Sequence, residues 1–380
     1  MSTPKPLHIV HVYKDYWPPI VGGIERSINW MANGVLALRP DFKITVLVNS
    51  RTRKTRQRME GAVNIIEVGE WGRAFSAPVS PGFPWALGKL KADVWHFHIP
   101  NPTGDLSYLL RKPKGNVVCT YHSDVIRQKW AMALYGPLLR KFLRSCDCIM
   151  PTSPHLIEAS QYLRPLKDKC CPVPLGMPLE PFERTPERGL KARDIRRHYK
   201  GFPLVVFVGK LRYYKGLQFL ISAFRSLPHV HCLIIGEGPE GEKLQRLATE
   251  FQLQDRIHFL GELSDEEMVA HLHAADIFVL PSHLPSEAFG LVQVEAMASG
   301  LPVISCDVGT GVSFVNQHEV TGLIVPPASD TSLAEAIERL LSDPNERNRF
   351  AEAAYRRSQE YFTRTAMAEN VLKVYESLIS

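Results

Sequence analysis

Residues 286–305 read Ser286-Glu287-Ala288-Phe289-Gly290-Leu291-Val292-Gln293-Val294-Glu295-Ala296-Met297-Ala298-Ser299-Gly300-Leu301-Pro302-Val303-Ile304-Ser305. A helix starting near Phe289 closes on Gly300, and Leu301 to Ile304 follows as a buried strand. Two carboxylates, Glu287 and Glu295, stand across the loop-to-helix junction. With the helix opening at Phe289, the amides of Phe289, Gly290 and Leu291 lack intrahelical acceptors and face whatever lies over that end, which suits a diphosphate. Glu287 sits just before the turn, within reach of a group attached to the phosphate. Glu295, further along, is placed to accept hydrogen bonds from a ribose diol. The stretch fits a nucleotide-sugar site. Glutamates near a helix start also favour its dipole, and pairs of them commonly form a solvated face. Spacing alone leaves both readings open.

Outward from this stretch, short β-rich apolar runs alternate with helical patterns. Strands are expected at residues 7–12, 43–48, 94–97, 117–121 and 148–151, with a helix over 23–38. The pattern restarts with strands at 204–208, 232–235, 256–260, 277–280, 303–305 and 322–325, and with helices near 216–226 and 240–251. Such alternation predicts parallel sheets covered on both faces, here as two successive Rossmann-like domains. The break falls at 172–181, where Pro172, Pro174, Pro178 and Pro181 forbid regular helix or central strand. The expected domains are 1–175 and 176–362, with a helix over 363–380 crossing back to the first.

The chain of 380 residues is long enough for two cores, and 45% hydrophobic with 22% charged residues is a globular balance. No apolar run reaches membrane-spanning length, and the start of the chain has no signal-like apolar region, so a cytoplasmic location is expected. The seven cysteines form no Cys-x-x-Cys pair and imply neither a zinc cage nor a disulfide framework. Residues 1–175 hold 24 Lys and Arg against 12 Asp and Glu, and residues 176–380 hold 21 against 27. A basic first half beside an acidic second half implies different partners for the two. No aromatic-interleaved RNA motif or zinc finger is present, so nucleic acid is not expected. An anionic membrane surface or a phosphate-bearing lipid acceptor fits the basic half, as does an ordinary solvated surface. Two segments extend that thought. Residues 51–58, read as a loop with five cations, would grip lipid phosphates. Residues 127–144, broken at Gly136-Pro137, mix cations with Trp130, Leu139, Phe142 and Leu143 like an interfacial helix pair, or else as core.

Further candidate chemistry lies at predicted strand ends. Gly22 and Gly23 open the first helix, where small residues let backbone amides approach a ligand, or simply make a turn. His122, in Thr120-Tyr121-His122-Ser123-Asp124, follows a strand and could donate to a sugar hydroxyl, although a lone histidine is more often structural. Lys210, Arg212 and Lys215 flank the turn after the first strand of the second domain, a cationic set able to neutralise a diphosphate leaving group. No Asp-x-Asp occurs, so the acidic pair that commonly holds a divalent ion is missing and a metal-free site is expected. Gly236-Glu237-Gly238-Pro239-Glu240-Gly241 matches Gly-x-Gly-x-x-Gly literally. However, its unit is internal, Glu237 and Glu240 would oppose a pyrophosphate, and Asp255 precedes the next strand, so NAD is not expected.

Taken together, Glu287 and Glu295, Lys215-Gly216 and Gly22-Gly23 resemble the motifs of the retaining glycosyltransferases of family four, whose two Rossmann-like domains form the GT-B fold. The resemblance spans nearly the entire chain. More narrowly, His11-Val12-Tyr13-Lys14, Thr120 to Asp124, Arg212 to Gly216 and Gly309-Thr310-Gly311-Val312-Ser313-Phe314 resemble bacterial O-polysaccharide mannosyltransferases, and are similar to the D-rhamnosyltransferases of the Pseudomonas common (A-band) polysaccharide. The resemblance implies that Lys210 and Lys215 hold the donor diphosphate. Glu287 and the Phe289–Leu291 amides would bind sugar and phosphate, Glu295 the ribose, Gly22 and Gly23 the phosphates, and His122 the transferred sugar. One departure is Lys210, where the family usually has arginine; a lysine is a point charge without the bidentate fork, and Arg212 is placed to compensate. The implied activity is metal-free, retaining transfer of mannose or D-rhamnose from a GDP-sugar to a lipid-diphosphate-linked glycan at the cytoplasmic face of the inner membrane, in O-polysaccharide (lipopolysaccharide) synthesis. A UDP-sugar transferase of the same fold differs only in base contacts. More distant readings are an NAD-linked oxidoreductase and a non-catalytic sugar-binding protein.

Overall fold

The computed structural model describes residues 6–18, 22–74, 77–124 and 129–379, without the side chains of residues 129–132 and 134. The chain divides into two compact units, Met1–Met177 with Thr363–Ser380, and Pro178–Phe362.

The first unit is built on a seven-stranded sheet in the order β3-β4-β2-β1-β7-β8-β9. Its strands are β1 (His8–Val12), β2 (Lys43–Ser50), β3 (Arg56–Glu60), β4 (Val63–Gly69), β7 (Val94–Ile99), β8 (Asn116–Tyr121) and β9 (Cys148–Pro151). A separate hairpin pairs β5 (Gly72–Ala74) with β6 (Ala77–Val79). All neighbours in the sheet are parallel except β3, which runs antiparallel to β4 at the edge. Every residue of β7 is buried, as expected for a strand covered on both faces. The helices of this unit include α1 (Gly23–Leu38), α2 (Phe83–Lys89), α3 (Pro102–Arg111) and α4 (Lys129–Ser145). The terminal helix Arg364–Ser377 lies against α1 and buries Met367, Val371, Leu372 and Tyr375, the crossing expected from sequence. Gly176 makes this docking possible, because a Cβ there would meet the Thr363 carbonyl oxygen at 2.1 Å.

Two expectations for this unit are corrected. Residues 56–58 are strand, not loop, and most of the basic run has carboxylate partners: Arg51 with Asp15, Arg56 with Glu67, and Arg58 with Glu60 and Glu67. The lipid-phosphate grip loses most of its free charge. The segment after residue 128 is one helix, α4, running through Pro137. Leu139, Phe142 and Leu143 are core residues packed with Phe97 and Tyr108, so they are not available to a membrane. Trp130 lies outside the described side chains.

The second unit carries a six-stranded, wholly parallel sheet in the order β12-β11-β10-β13-β14-β15. Its strands are β10 (Leu204–Val208), β11 (His231–Ile235), β12 (Ile257–Gly261), β13 (Ile277–Leu280), β14 (Val303–Cys306) and β15 (Gly322–Val325). The strand order reverses at β10, between β11 and β13, and an open α/β sheet presents ligands at the carboxyl ends around such a point. The loops leaving β10 and β13 therefore occupy the favoured place in this unit. None of the described helices is long and apolar enough to cross a membrane. All seven cysteines are free, and Cys119, Cys146, Cys232 and Cys306 are buried.

Candidate active site

In the second unit, backbone packing brings the cationic and acidic motifs together. Gly216 has φ of 71°, in the left-handed region, and a Cβ there would lie 1.9 Å from the Pro281 carbonyl oxygen. Only glycine permits this approach of the β10 loop to the β13 loop. The His283 amide donates to the Tyr214 carbonyl at 3.0 Å and ties the two loops side by side. Lys215 and Glu287, far apart in sequence, then meet with Nζ 2.6 Å from a carboxylate oxygen, each side chain only 10% exposed. The Ser282 hydroxyl donates to the same carboxylate at 2.9 Å, and the Thr310 hydroxyl donates to the Glu287 carbonyl at 2.6 Å. Burial pulls the Lys215 pKa down, but the charge of Glu287, with Tyr214 and Glu295 behind it, outweighs burial and leaves the pKa raised. The ammonium therefore stays charged within a shielded site.

The helix after Glu287 spans Leu291–Ala298, starting two residues later than expected. Gly290 caps it in the left-handed region, with φ of 72° and no side-chain cap. Among the described residues no acceptor meets the amides of Phe289, Gly290 and Leu291. These amides remain available to an anion. The Phe289 ring is core, edge-on to Phe362 with centroids 5.9 Å apart, so only its backbone can serve a ligand. Glu295 is half-buried on this helix and contributes to the field at Lys215. Lys210 and Arg212 are exposed and, among the described residues, make no ion pair. The structure thus separates the three cations into one buried, paired ammonium and two open charges.

The literal Gly-x-Gly-x-x-Gly run has a packing explanation. A Cβ on Gly236 would meet the Gly209 carbonyl oxygen at 2.3 Å, and one on Gly238 the Leu211 carbonyl oxygen at 2.4 Å. The Leu211 amide donates to the Glu237 carbonyl at 2.9 Å, so these glycines seat one loop against another.

In the first unit, Gly22 caps α1 in extended conformation, and Gly23 is the exposed first helical residue. The space beside Gly22 is filled from within: a Cβ there would lie 2.1 Å from Oε2 of Glu25, which folds back over the helix end. Burial raises the Glu25 pKa, its own amide opposes that shift, and Asp15 adds to it. A ligand phosphate at these glycines would have to displace that carboxylate. Residues 19–21 lie outside the described residues.

His122, just past β8, is buried, and burial pulls its pKa down to about 3. It does not stand alone. His98 Nδ1 is 3.2 Å from His122 Nε2, and His98 Nε2 is 3.0 Å from His11 Nδ1. His96, on the same face of β7 as His98, reaches the Tyr375 hydroxyl with Nδ1 at 2.5 Å and the Thr120 hydroxyl with Nε2 at 2.7 Å. Sequence reasoning passed over His11, His96 and His98. The alternation in Trp95-His96-Phe97-His98, which puts both imidazoles on one face, was the available signal. It also missed Ser282 as a support for Glu287.

The comparisons with known proteins identify the family and the fold. The family Glycosyl transferases group 1 matches residues 190–357, and Glycosyltransferase Family 4 matches residues 21–180. An O-antigen chain mannosyltransferase of Escherichia coli is 33% identical over 98% of this chain and 99% of the relative. A D-rhamnosyltransferase of Pseudomonas aeruginosa is 34% identical over 92% of this chain and 91% of the relative. Among solved structures, sucrose-phosphate synthase from Thermosynechococcus elongatus superimposes with a TM-score of 0.82 over 98% of this chain and 99% of that one, at 24% identity, which identifies the fold. The chain belongs to the group 1, family 4 glycosyltransferases and has their GT-B fold.

Proposed function

We propose that this glycosyltransferase moves mannose or D-rhamnose from a GDP-sugar onto a lipid-diphosphate-linked glycan in O-polysaccharide synthesis, with retention of configuration and without a metal ion. The observation that carries the reading is the buried Lys215–Glu287 pair beside the open amides at Gly290, at the switch point of the second sheet. The named activities of the mannosyl- and rhamnosyltransferase relatives support the sugar class.

In the proposed reaction the acceptor hydroxyl approaches the face of the sugar that the diphosphate leaves. The anomeric carbon–oxygen bond breaks with its electron pair passing to the diphosphate, a bond to the acceptor oxygen forms, and the departing diphosphate oxygen takes the acceptor proton. No protein nucleophile is consumed. Lys215, Lys210, Arg212 and the amides at 289–291 stabilise the charge that develops on the diphosphate, and Glu287 holds Lys215 and meets the sugar. Glu295 accepts from the ribose, and His122 donates to a sugar hydroxyl. Gly22 and Gly23 approach the phosphates once Glu25 withdraws.

Attachment to the cytoplasmic face of the inner membrane is part of the proposal and is supported by the first unit. Trp71, Trp85 and Leu110 are 72%, 58% and 64% exposed, respectively. The exposed cations Lys89, Lys91, Arg111, Lys112 and Lys114 lie on and beside α2 and α3, the helices that carry Trp85 and Leu110. Aromatic side chains among cations suit an anionic bilayer surface.

The decisive experiment incubates the protein with GDP-mannose, GDP-D-rhamnose and UDP-GlcNAc against lipid-linked primers, with products read by mass spectrometry and anomeric configuration by NMR. Transfer from a GDP-sugar with retention, undiminished by EDTA, is expected. Transfer only from the UDP-sugar, inversion, or activity lost to EDTA and restored by magnesium would overturn the corresponding part.

A further inference from the structure

Three histidines of the first unit form a continuous chain: His11 on β1, His98 on β7 and His122 after β8, joined by contacts of 3.0 and 3.2 Å. All three are buried, and burial pulls each pKa far below 6.5, so the rings are neutral. A neutral imidazole has one N–H and one lone pair. Each contact therefore needs one ring to donate and the other to accept, and the choice made at one contact dictates the next.

Only two orders satisfy both contacts. In the first, His11 donates from Nδ1 to His98 Nε2, His98 donates from Nδ1 to His122 Nε2, and the proton of His122 must sit on Nδ1. In the second, every proton moves to Nε2, and His122 Nδ1 presents a lone pair. The chain ends are thus opposite in kind. Among the described residues both ends, His11 Nε2 and His122 Nδ1, lack a partner. His11 lies on the central strand with no exposed surface, whereas His122 lies past a strand end and keeps 3% exposure. Both end nitrogens are buried, so either order leaves one N–H without a partner; at His122, past the carboxyl end of β8 where an open α/β sheet presents ligands, a substrate oxygen can supply the acceptor. The first order leaves the bare lone pair at the deep end and the N–H at the strand end.

We propose that His98 and His11 are positioning residues that hold His122 as its Nδ1–H tautomer, so that His122 serves the transferred sugar only as a hydrogen-bond donor, to a hydroxyl oxygen. The role toward sugar rests on the proposed function; the tautomer is measured independently of it. A metal centre is the competing use of these rings, since ligand atoms of His11, His96 and His98 lie within 4.8 Å of one another. The donor set does not fit one. Both nitrogens of His96 are engaged by Tyr375 and Thr120, and the His96 and His98 rings stack at 18° with centroids 4.5 Å apart, so their lone pairs do not converge.

The test is nitrogen-15 NMR of the full chain labelled at histidine, with His122 assigned by its loss in His122→Gln. The ligand-free protein is expected to show His122 protonated at Nδ1 and bare at Nε2. His98→Phe keeps the ring and removes the donor, so His122 shifts to the Nε2–H form or to a mixture. His98→Gln, whose amide both accepts and donates, restores the Nδ1–H form. In the transfer assay His98→Phe lowers kcat about tenfold or more with little change in donor KM, and His98→Gln recovers part of it. A His122 protonated at Nε2 in the parent overturns the proposal even if the variants fail to fold, and so does an unchanged tautomer in His98→Phe. A protein that shows the tautomer but transfers no sugar would retain the proton order and sink the proposed function alone.

Discussion

Lys215 and Glu287 allow a double-substitution cycle that separates holding the fold from doing the chemistry. Each residue is 8% exposed, and the pair is 2.6 Å apart. Removing one partner of a buried ion pair typically costs about 3–5 kcal/mol, because the survivor is left uncompensated. Here Glu287 keeps the Ser282 hydroxyl and Lys215 keeps the field of Glu295, which lowers the expected cost of Glu287→Gln or Lys215→Met to about 2–3 kcal/mol. In a unit of this size that is a fall of roughly 5–10 °C in Tm. The double variant buries no charge, and Gln can still accept from Ser282, so it should lie within about 1 kcal/mol of the parent, a coupling of several kcal/mol. Urea unfolding of the second unit, followed by calorimetry, reads these values. Turnover should behave differently: all three variants should lose about 100-fold or more in kcat, because the charge proposed to meet the leaving diphosphate, or its anchor, is gone in each. Stability recovered in the double variant with turnover still lost is the expected signature. Additive losses of stability, or a double variant with near-parent turnover, would refute the reasoning.

Gly290→Ala should destabilise the second unit by about 1–3 kcal/mol, since φ is 72° and the new Cβ would meet Gln293 Nε2 at 2.8 Å and Leu280 Cδ2 at 2.9 Å; an unchanged Tm would contradict this backbone geometry. Arg73→Met leaves buried Asp15 without its two-pronged partner, at 2.6 and 2.9 Å, and should cost the first unit about 2–3 kcal/mol in chemical denaturation, Arg51 supplying partial relief. The buried histidines set an acid limit. His11 and His122 are held near pKa 3, and His96 and His98 well below 6.5, all by burial. Above pH 6.5 they are neutral folded or unfolded and contribute no slope. Between about pH 6.5 and 3 the unfolded chain takes up protons that the native chain refuses, so stability falls with pH by up to about 1.4 kcal/mol per unit for each histidine. Denaturation midpoints measured from pH 7 to 5 should drop steeply; a flat profile would show that these rings take up protons while folded.

The parallel strands were legible because both faces are covered: runs such as 204–208 and 277–280 are continuously apolar, and every residue of β10 and β13 is buried. Edge structure was not legible. Arg56-Gln57-Arg58-Met59-Glu60 has the composition of a solvated loop, and it is a strand because its arginines pair across to Glu67 on β4, a register no local window contains. Gly136-Pro137 reads as a break, yet α4 continues through it, with Tyr135 bonded to buried Asp105 and Leu139 in the core; tertiary burial overrides the local preference. The same division holds at the site. The chemical types at 210–215 and 287–295 were readable, whereas the pairing of Lys215 with Glu287 depends on Gly216 lying against Pro281. The histidine chain is a still clearer case, since it exists only because β1 and β7 are neighbours in register, His11 opposite His96.

The division of the cations bears on how charge is managed during transfer. Lys210 and Arg212 are exposed and, among the described residues, unpaired. They too would gain attraction as charge grows on the diphosphate, but in solvent that gain is small, so most of their effect falls on binding. Lys215 is different. Its ammonium is already neutralised by Glu287 in a shielded pocket, so the protein is not left with a bare buried charge while it waits for substrate. In the proposed reaction, as the glycosyl bond loosens and negative charge grows on the diphosphate, the ammonium would gain attraction there, while Glu287 would face a sugar that is becoming positive. Both partners of the pair then acquire a better electrostatic environment in the transition state than in the resting site, which is the differential that raises kcat. On this argument the ion pair is a store of two opposite charges kept adjacent until the reaction creates a use for each.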